Sequence, residues 1–374
     1  MTGQIAWLEG LSPWPEEFGL GRMRELLTAL GDPQAAYPAI HVVGTNGKST
    51  TTRMAEALLH GDGVHVGAYT SPHVTSWAER IRVGDGEADV ENALARVRPE
   101  AERVGATQFE TLTAAALAEF AEEGVEVAVV EAGLGGRHDA TNVLQAPVVV
   151  LTNVALEHTE VLGHTRDEIA REKLAVIQPG AIVVLGEPEW EQLCRENGAG
   201  GVVLASGNLA LALAAVESFL GRPVDAAPAE ELELSGRLER AGEAPLEIRD
   251  GAHNLAGVGY LLARVPRADY VLVVSILEDK DVRGMLAALS VLGGHLVATT
   301  SSSPRALPAR DLAAAAEPYF ARVEIVENPE HALTRAREVA GREGAVLVTG
   351  SLYLVADLAS VRPSGLPWQA SASG

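Results

Sequence analysis

The sequence predicts an α/β protein: an N-terminal, mostly parallel sheet domain that carries a phosphate loop (P-loop), followed by a smaller Rossmann-like α/β domain. Three observations predict it. Short apolar, β-branched runs alternate with helical patterns along most of the chain, as they do in parallel sheets covered on both faces. One strand-to-helix junction reads Gly44-Thr45-Asn46-Gly47-Lys48-Ser49-Thr50-Thr51, a glycine turn that aims backbone N–H groups at an anion. A Pro-, Ala- and Glu-rich stretch over 221–235 reads as a linker, and 374 residues are comfortable for two domains, 1–234 and 235–374.

The bulk numbers narrow the function. A net charge of −22 argues against nonspecific nucleic-acid binding, which rests on neutralising phosphates with Lys and Arg. It also means that an anionic substrate needs metal ions and a few placed cations. The single cysteine, Cys194, rules out an intrachain disulfide framework and suits a reducing cytoplasm. Glu9, Glu16 and Glu17, with no basic-then-apolar leader, predict no signal peptide. No apolar run approaches the roughly 20 residues of a membrane span.

In chain order, residues 1–38 read as a leader with one amphipathic helix, about Gly21 to Leu30. Gly19 and Leu20 read as part of that helix's cap or as the edge of a site. Ala39 to Val43 reads as a strand, and the phosphate loop follows. Gly44 and Gly47 let the backbone approach phosphate, Lys48 supplies a point charge, and Ser49, Thr50 and Thr51 supply hydroxyls. The loop is shortened, because Val42 stands where the full Gly-x-x-x-x-Gly-Lys pattern has glycine. A helix is expected from Arg53 to His60 with Met54, Ala57, Leu58 and Leu59 inward. Of 29 basic residues only Lys48, Lys173 and Lys280 are lysine, which hints at amines that a guanidinium cannot replace.

Val64 to Tyr69 reads as a strand ending in Thr70-Ser71-Pro72-His73, either a proline turn or a ligand loop. Glu79 to Val83 and a helix, Val90 to Val104, follow. Thr107-Gln108-Phe109-Glu110 opens an Ala-rich helix, Thr111 to Glu123. Val125 to Val130 is a strand that runs into Glu131-Ala132-Gly133-Leu134-Gly135-Gly136-Arg137-His138-Asp139-Ala140-Thr141-Asn142. A carboxylate at a buried strand end is costly unless it meets a cation. After the strand Val148 to Thr152, Glu157-His158 reads as a second ion site or as a solvated pair. The helix Thr165 to Ile177 contains Arg171-Glu172-Lys173, whose ordinary reading is a salt bridge. Strands Ala181 to Leu185 and Val202 to Ala205 precede a helix from Asn208 to Leu220. Past the linker come Arg237, a strand around Leu246 to Ile248, and the polar cluster Asp250-Gly251-Ala252-His253-Asn254. Four strand-helix units start at Tyr270, His295, Val323 and Ala345, and a tail from Pro363 reads as mobile.

Taken together, these blocks resemble the folylpolyglutamate synthase and dihydrofolate synthase family, part of the Mur ligase group of ATP-dependent amide-forming enzymes. The resemblance covers about 38 to 360. It rests on Gly44 through Lys48, Thr70 through His73, Glu79 through Val83, Thr107 through Leu112, Glu131 through Asn142, Glu157-His158 with Glu168 through Lys173, Asp250 through Asn254, and Gly350 through Tyr353. It implies that Gly44, Thr45, Asn46, Gly47, Lys48, Ser49 and Thr50 hold ATP, with Asn208, Arg237 and Asp250 as further contacts and His253 and Asn254 close by. Ser71, Glu131 and His158 look like Mg²⁺ ligands. Lys173 matches the lysine that carries a carbamate, and Lys48, Lys173 and His253 are the catalytic candidates. A dihydropteroate or reduced folate acceptor would lie near Gly19, Leu20, Thr107, Gln108, Phe109, Glu110, His138, Asp139 and Ala140. L-glutamate would enter near Ser351 and Tyr353. The implied reaction passes through an acyl phosphate, catalysed by a cytoplasmic monomer. Two departures stand out. Ser49-Thr50 replaces the family's Gly-Ser, closer to the cell-wall Mur ligases that act on UDP-sugar peptides, and Glu157 replaces its Asp. A cell-wall ligase and a P-loop switch or ATPase are therefore the competing readings.

Overall fold

The computed structural model describes residues 3–361, so the tail from Pro363 lies outside the described residues. The chain divides into two compact units, Met1–Leu232 and Glu233 onward. In the first, α1 (Gln4–Glu9) and α2 (Gly21–Ala29) lead into β1 (Ala39–Val43), α3 (Lys48–Gly61) and β2 (Val66–Tyr69). A short meander, β3 (Ile81–Val83) and β4 (Gly86–Glu87), precedes α4 (Val90–Val104), α5 (Gln108–Glu122) and β5 (Val127–Glu131). Then come β6 (Val148–Leu151), α6 (Thr159–Leu162), α7 (Arg166–Lys173), β7 (Ile182–Leu185), α8 (Glu191–Glu196), β8 (Gly201–Leu204), α9 (Asn208–Leu220) and α10 (Ala227–Glu230).

The eight strands run in the order β4-β3-β2-β5-β1-β6-β7-β8, parallel from β2 to β8 and antiparallel at the β3 and β4 edge. The period of two sorts the side chains between the faces. Ile40, Val42, Val127, Val129, Val148 and Val150 pack with residues of α3 and α9, such as Leu58, Leu59, Leu211 and Ala215. On the other face Ala128 and Val130 meet Leu112 and Ala116 of α5, while Val149 and Leu151 meet Ile169 and Leu174. Both faces are thus covered, which is why these strands are almost wholly aliphatic.

The second unit contains β9 (Glu239–Glu243), β10 (Leu246–Arg249), α11 (Leu255–Leu262), β11 (Tyr270–Val274), α12 (Val282–Leu289), β12 (His295–Ala298), α13 (Ala309–Ala316), β13 (Arg322–Ile325), α14 (Pro329–Ala340), β14 (Ala345–Thr349) and α15 (Leu352–Asp357). Its strand order is β13-β12-β11-β14-β10-β9, with only β9 antiparallel.

Several expectations need correction. Helix α3 starts at Lys48, not Arg53, because the glycine turn sets its first turn despite three consecutive threonines. Its buried face is Thr51, Thr52, Ala55, Glu56, Leu58 and Leu59, while Met54 and Ala57 are only partly covered. Helix α5 starts at Gln108, with Thr107 as its N-cap. Helix α7 stops at Lys173, and a 3₁₀ turn follows over Leu174–Val176. The linker stretch is not free chain: α10 lies within it, Ala229 is buried, and Gly61 sits close against Pro228. Strand β9, the polar sequence Glu-Arg-Ala-Gly-Glu, and helix α11, with two glycines inside it, carry no pattern that announces them.

Candidate functional site

The site in the first unit gathers at the C-terminal ends of β1, β2, β5 and β6, where open α/β sheets bind ligands. β1 is buried at every position and delivers the chain to Gly44, at φ +147°. A Cβ on Gly44 would lie 1.9 Å from Thr152 Oγ1, so only glycine passes. Gly47, at φ +82°, is equally constrained, since a Cβ there would lie 2.5 Å from Asn208 Oδ1. That contact brings the start of α9 to the phosphate loop. The segment after β6 laces the loop in place. Thr45 N–H donates to Asn153 O (2.9 Å), Asn46 N–H to Asn153 Oδ1 (3.1 Å), Thr152 Oγ1 to Asn46 O (2.7 Å) and Ala155 N–H to Thr45 Oγ1 (3.0 Å). Lys48 folds back over this loop, its Nζ donating to Thr45 O at 3.2 Å. The first turn of α3 carries no acidic residue, which suits a helix end presented to an anion.

Glu131 ends β5 and is 1% exposed. Its Oε1 accepts from Ser49 Oγ (3.0 Å) and its Oε2 from the Ser71 N–H (2.9 Å). Three strand ends therefore converge on one buried carboxylate. His158 is exposed, in a left-handed conformation (φ +49°) at the start of α6, on the segment tied to Thr45. Among the described residues no group of three or more His, Cys, Asp or Glu side chains is placed to hold a metal ion by itself. A carboxylate beside the Ser49 hydroxyl and the Ser71 backbone, next to a loop shaped for phosphate, fits a hard cation that keeps several waters and takes phosphate oxygens. By that chemistry the residues fit Mg²⁺.

Lys173 closes α7, 4% exposed, and its Nζ donates to Gly44 O at 2.7 Å. The salt-bridge reading fails in detail: Glu172 pairs with Arg137 and Arg171 with Asp167. Burial pushes the Lys173 amine down to about 7, with the Lys48 charge acting the same way and Glu157, Asp139 and Glu172 opposing.

The expected acceptor segments split. Phe109 lies against Tyr69 (ring centroids 6.1 Å) and close under Gly133, where a Cβ would come within 2.5 Å of its ring. Thr107 and Glu110 form a capping box, and Glu110 Oε2 also accepts from Arg22 Nε at 2.7 Å. Gln108 donates from its backbone to Ser12 O and from its side chain to Leu8 O. Gln108 and Glu110 thus hold the N-terminal segment on which Gly19 and Leu20 lie half-buried. His138 is exposed, whereas Asp139 and Ala140 are buried. Asp139 accepts from Leu134 N–H (2.7 Å), Thr141 N–H (3.0 Å) and the Thr141 hydroxyl. Its carboxyl is nevertheless held above the usual carboxylate range, desolvation being the largest cause. The structure adds Thr152, Asn153, His41 and Thr141 to the residues expected from the sequence. The one available signal was a histidine inside an aliphatic strand.

In the second unit, Asp250 follows β10. Its oxygens accept from Leu238 N–H and Ala252 N–H, both at 2.9 Å. Desolvation raises its pKa while Arg237 opposes. A Cβ on Gly251 would come within 3.0 Å of Arg237 Nη1, so the guanidinium lies over this turn. His253 Nδ1 bonds Gly251 O (2.8 Å), Asn254 caps α11 through Gly257 N–H (2.7 Å), and Ser351 caps α15, bringing Tyr353 to its first turn. Arg237, Asp250 and His253 thus share one strand end.

A P-loop sheet followed by a second α/β unit with a polar strand-end cluster is the architecture of a Mur-ligase-type protein. The sequence agrees: 42–203 matches the Mur ligase middle domain, and 236–352 matches the Mur ligase glutamate ligase domain. The dihydrofolate synthase/folylpolyglutamate synthase of Mycobacterium tuberculosis is 35% identical over 86% of this chain and 83% of its own length. The structure of E. coli FolC in complex with DHPP and ADP superposes with a TM-score of 0.88 at 30% identity, covering 96% of this chain and 97% of that one. A bifunctional folylpolyglutamate synthase/dihydrofolate synthase from Yersinia pestis, complexed with AMPPNP and Mn ion, gives 0.86 at 30% identity, with 96% and 97% coverage. The chain belongs to the dihydrofolate synthase/folylpolyglutamate synthase family. These relatives favour the folate branch over the cell-wall ligases.

Proposed function

We propose that this protein is an ATP-dependent, ADP-forming ligase that joins L-glutamate to a pterin-linked carboxylate, either dihydropteroate, a reduced folate, or both. The observation that carries the reading is the buried Glu131 carboxylate, bonded to Ser49 and Ser71 beside Lys48. A carboxylate is a poor electrophile until one oxygen attacks the γ-phosphorus of ATP, releasing ADP and leaving an acyl phosphate. The glutamate amine then attacks the acyl carbon, loses its proton, and expels phosphate. In such transfers the protein mainly positions and neutralises. Gly44 through Thr50 cradle the triphosphate, Lys48 meets its terminal oxygens, and Asn208, Arg237, Asp250 and His253 are assigned to the nucleotide. Ser71, Glu131 and His158 would hold Mg²⁺, which supplies positive charge to the phosphoryl oxygens. Lys173, with an amine near neutrality, is partly unprotonated at pH 7, the form that takes up CO₂ as a carbamate. That converts a buried cation into an anion, which arginine could not become. The acceptor lies along the 107–110 and 138–140 segments, with Gly19 and Leu20 at their edge, and glutamate near Ser351 and Tyr353.

We further propose a cytoplasmic monomer, the single cysteine suiting a reducing compartment. Among the described residues no helix is long and apolar enough to cross a membrane, and the −22 charge opposes nucleic-acid binding. The test is phosphate release by purified protein with ATP, Mg²⁺ and glutamate, with dihydropteroate or tetrahydrofolate added in parallel. Acceptor-dependent release is expected. Release independent of both acceptors overturns the reading in favour of a switch or ATPase. In the same assay Lys173→Ala loses most turnover, and small added carboxylates restore part of it.

A further inference from the structure

One buried polar chain is not explained by nucleotide binding. His41 sits in the middle of aliphatic β1, 1% exposed, with Nε2 2.8 Å from Thr141 Oγ1, a residue 100 positions away. Thr141 is fully buried, and its hydroxyl bonds Asp139 Oδ1. Asp139 already accepts two backbone N–H groups, so its oxygens act as acceptors and the Thr141 proton points at them. The Thr141 oxygen is then itself an acceptor, and His41 Nε2 must carry the hydrogen it receives. This tautomer is inferred from the hydrogen-bond network. Burial keeps the imidazole neutral, its pKa pushed down to about 4.

What the chain holds is a loop. Asp139 ties Leu134 to Thr141, closing the segment from which His138 projects. Gly136 of the same segment lies against Lys173, where a Cβ would come within 2.5 Å of Lys173 O. A shift of Asp139 would therefore move the loop relative to α7. We propose that His41 and Thr141 are positioning residues: the His41 Nε2–H to Thr141 Oγ–H to Asp139 chain sets the 134–141 loop against which the pterin-bearing acid binds. Neither residue touches the acceptor. The inference rests on the proposed ligase function and on the 138–140 segment as acceptor wall.

The test is steady-state kinetics with dihydropteroate, ATP and glutamate varied in turn, for His41→Leu, His41→Asn, His41→Gln, Thr141→Val and Thr141→Ser. Glutamine can place an N–H near the Nε2 position, and asparagine is too short. KM for dihydropteroate is expected to rise about tenfold in His41→Leu, His41→Asn and Thr141→Val, the scale of one lost hydrogen bond. KM for ATP should stay within about twofold in all five variants. His41→Gln and Thr141→Ser should recover wild-type behaviour to within about threefold. A merely structural role would lower melting temperatures without separating Gln from Asn or acceptor from ATP. If His41→Leu does not fold, the near-isosteric Thr141→Val carries the test. An unchanged acceptor KM in Thr141→Val, or equal KM values for His41→Gln and His41→Asn, overturns the positioning role. Absence of acceptor-dependent turnover in the wild type overturns the ligase reading, and this inference with it.

Discussion

Each unit buries a glutamate in a parallel strand, and the two are treated in opposite ways. Glu247, in β10, is fully buried and accepts two bonds from Arg249 (2.8 and 2.6 Å) and one from Arg337 (2.8 Å). Arg249, 1% exposed, also donates to the carbonyls of Leu358 and Val361, so the cluster clasps the chain leaving α15. Glu131, in β5, is 1% exposed and bonds a serine hydroxyl and a backbone N–H beside the phosphate loop. One carboxylate is met by guanidinium groups and serves the fold. The other sits among groups that a cation and phosphates can use. A buried charge is thus not in itself a mark of function; what distinguishes the two is the chemistry of the partners.

The largest effect should come from Glu247→Ala. It leaves the Arg249 charge buried without its carboxylate, which costs about 3–5 kcal/mol. Denaturant unfolding should show that loss in the transition of the second unit. Removing these two charges together with Glu247→Leu and Arg249→Met should recover part of it, because their desolvation cost goes as well, while Arg337 and the carbonyls of Leu358 and Val361 still lose their partners. The reverse pattern is expected for Glu131→Gln. The amide keeps the shape and an acceptor, so stability should change by no more than about 1 kcal/mol. Turnover should fall roughly 10²–10³-fold, the usual scale when a group that stabilises transferring charge is lost. A Glu131→Gln enzyme at near wild-type rate would break the contrast.

The third effect concerns His41, which belongs to both categories. Its folded pKa of about 4 lies below the unfolded value of 6.5. Between these values the unfolded chain binds more protons, so stability rises with pH from about 4 to 6.5 and is lost as pH falls through that window. At about 1.4 kcal/mol per unit, the full span amounts to roughly 3 kcal/mol. His41→Gln should flatten that limb of the stability–pH curve relative to wild type, read by thermal melts across the window. An identical limb in the variant would mean that other groups cause it, His73 among them, whose pKa burial and Arg80 likewise push down to about 4.

How far the sequence foretells this depends on whether the determining contact is local. β1, α4 and α9 coincide with expectation residue for residue, because each begins or ends at a glycine or a capping residue that acts within a few positions. The phosphate loop was legible for the same reason. Lys173 was ambiguous because its burial depends on Gly44 O, 129 positions away, and because Arg137, 35 positions from Glu172, removes the obvious partner. Thr141 and His41, 100 positions apart, leave no trace beyond one imidazole among aliphatics. Strand β9 exists because β10 offers it an antiparallel edge, not because its own residues alternate.

The smallest effect sharpens the contrast from a third carboxylate. Glu110 is 6% exposed and is shared between the Thr107 cap and Arg22, so it resembles Glu247 in chemistry while lying on an expected acceptor segment. Thr107→Ala removes the cap hydroxyl at the start of α5 but leaves the Glu110–Arg22 pair. The expected cost is about 1 kcal/mol of stability, the ordinary value of an N-cap, measured by urea unfolding. If the segment supports the acceptor site without touching the acceptor through Thr107, turnover at saturating acceptor stays at the wild-type level. A fall in turnover without a fall in stability would instead place the Thr107 hydroxyl among the groups that meet the acceptor, and would move this end of α5 from the Glu247 side of the comparison to the Glu131 side.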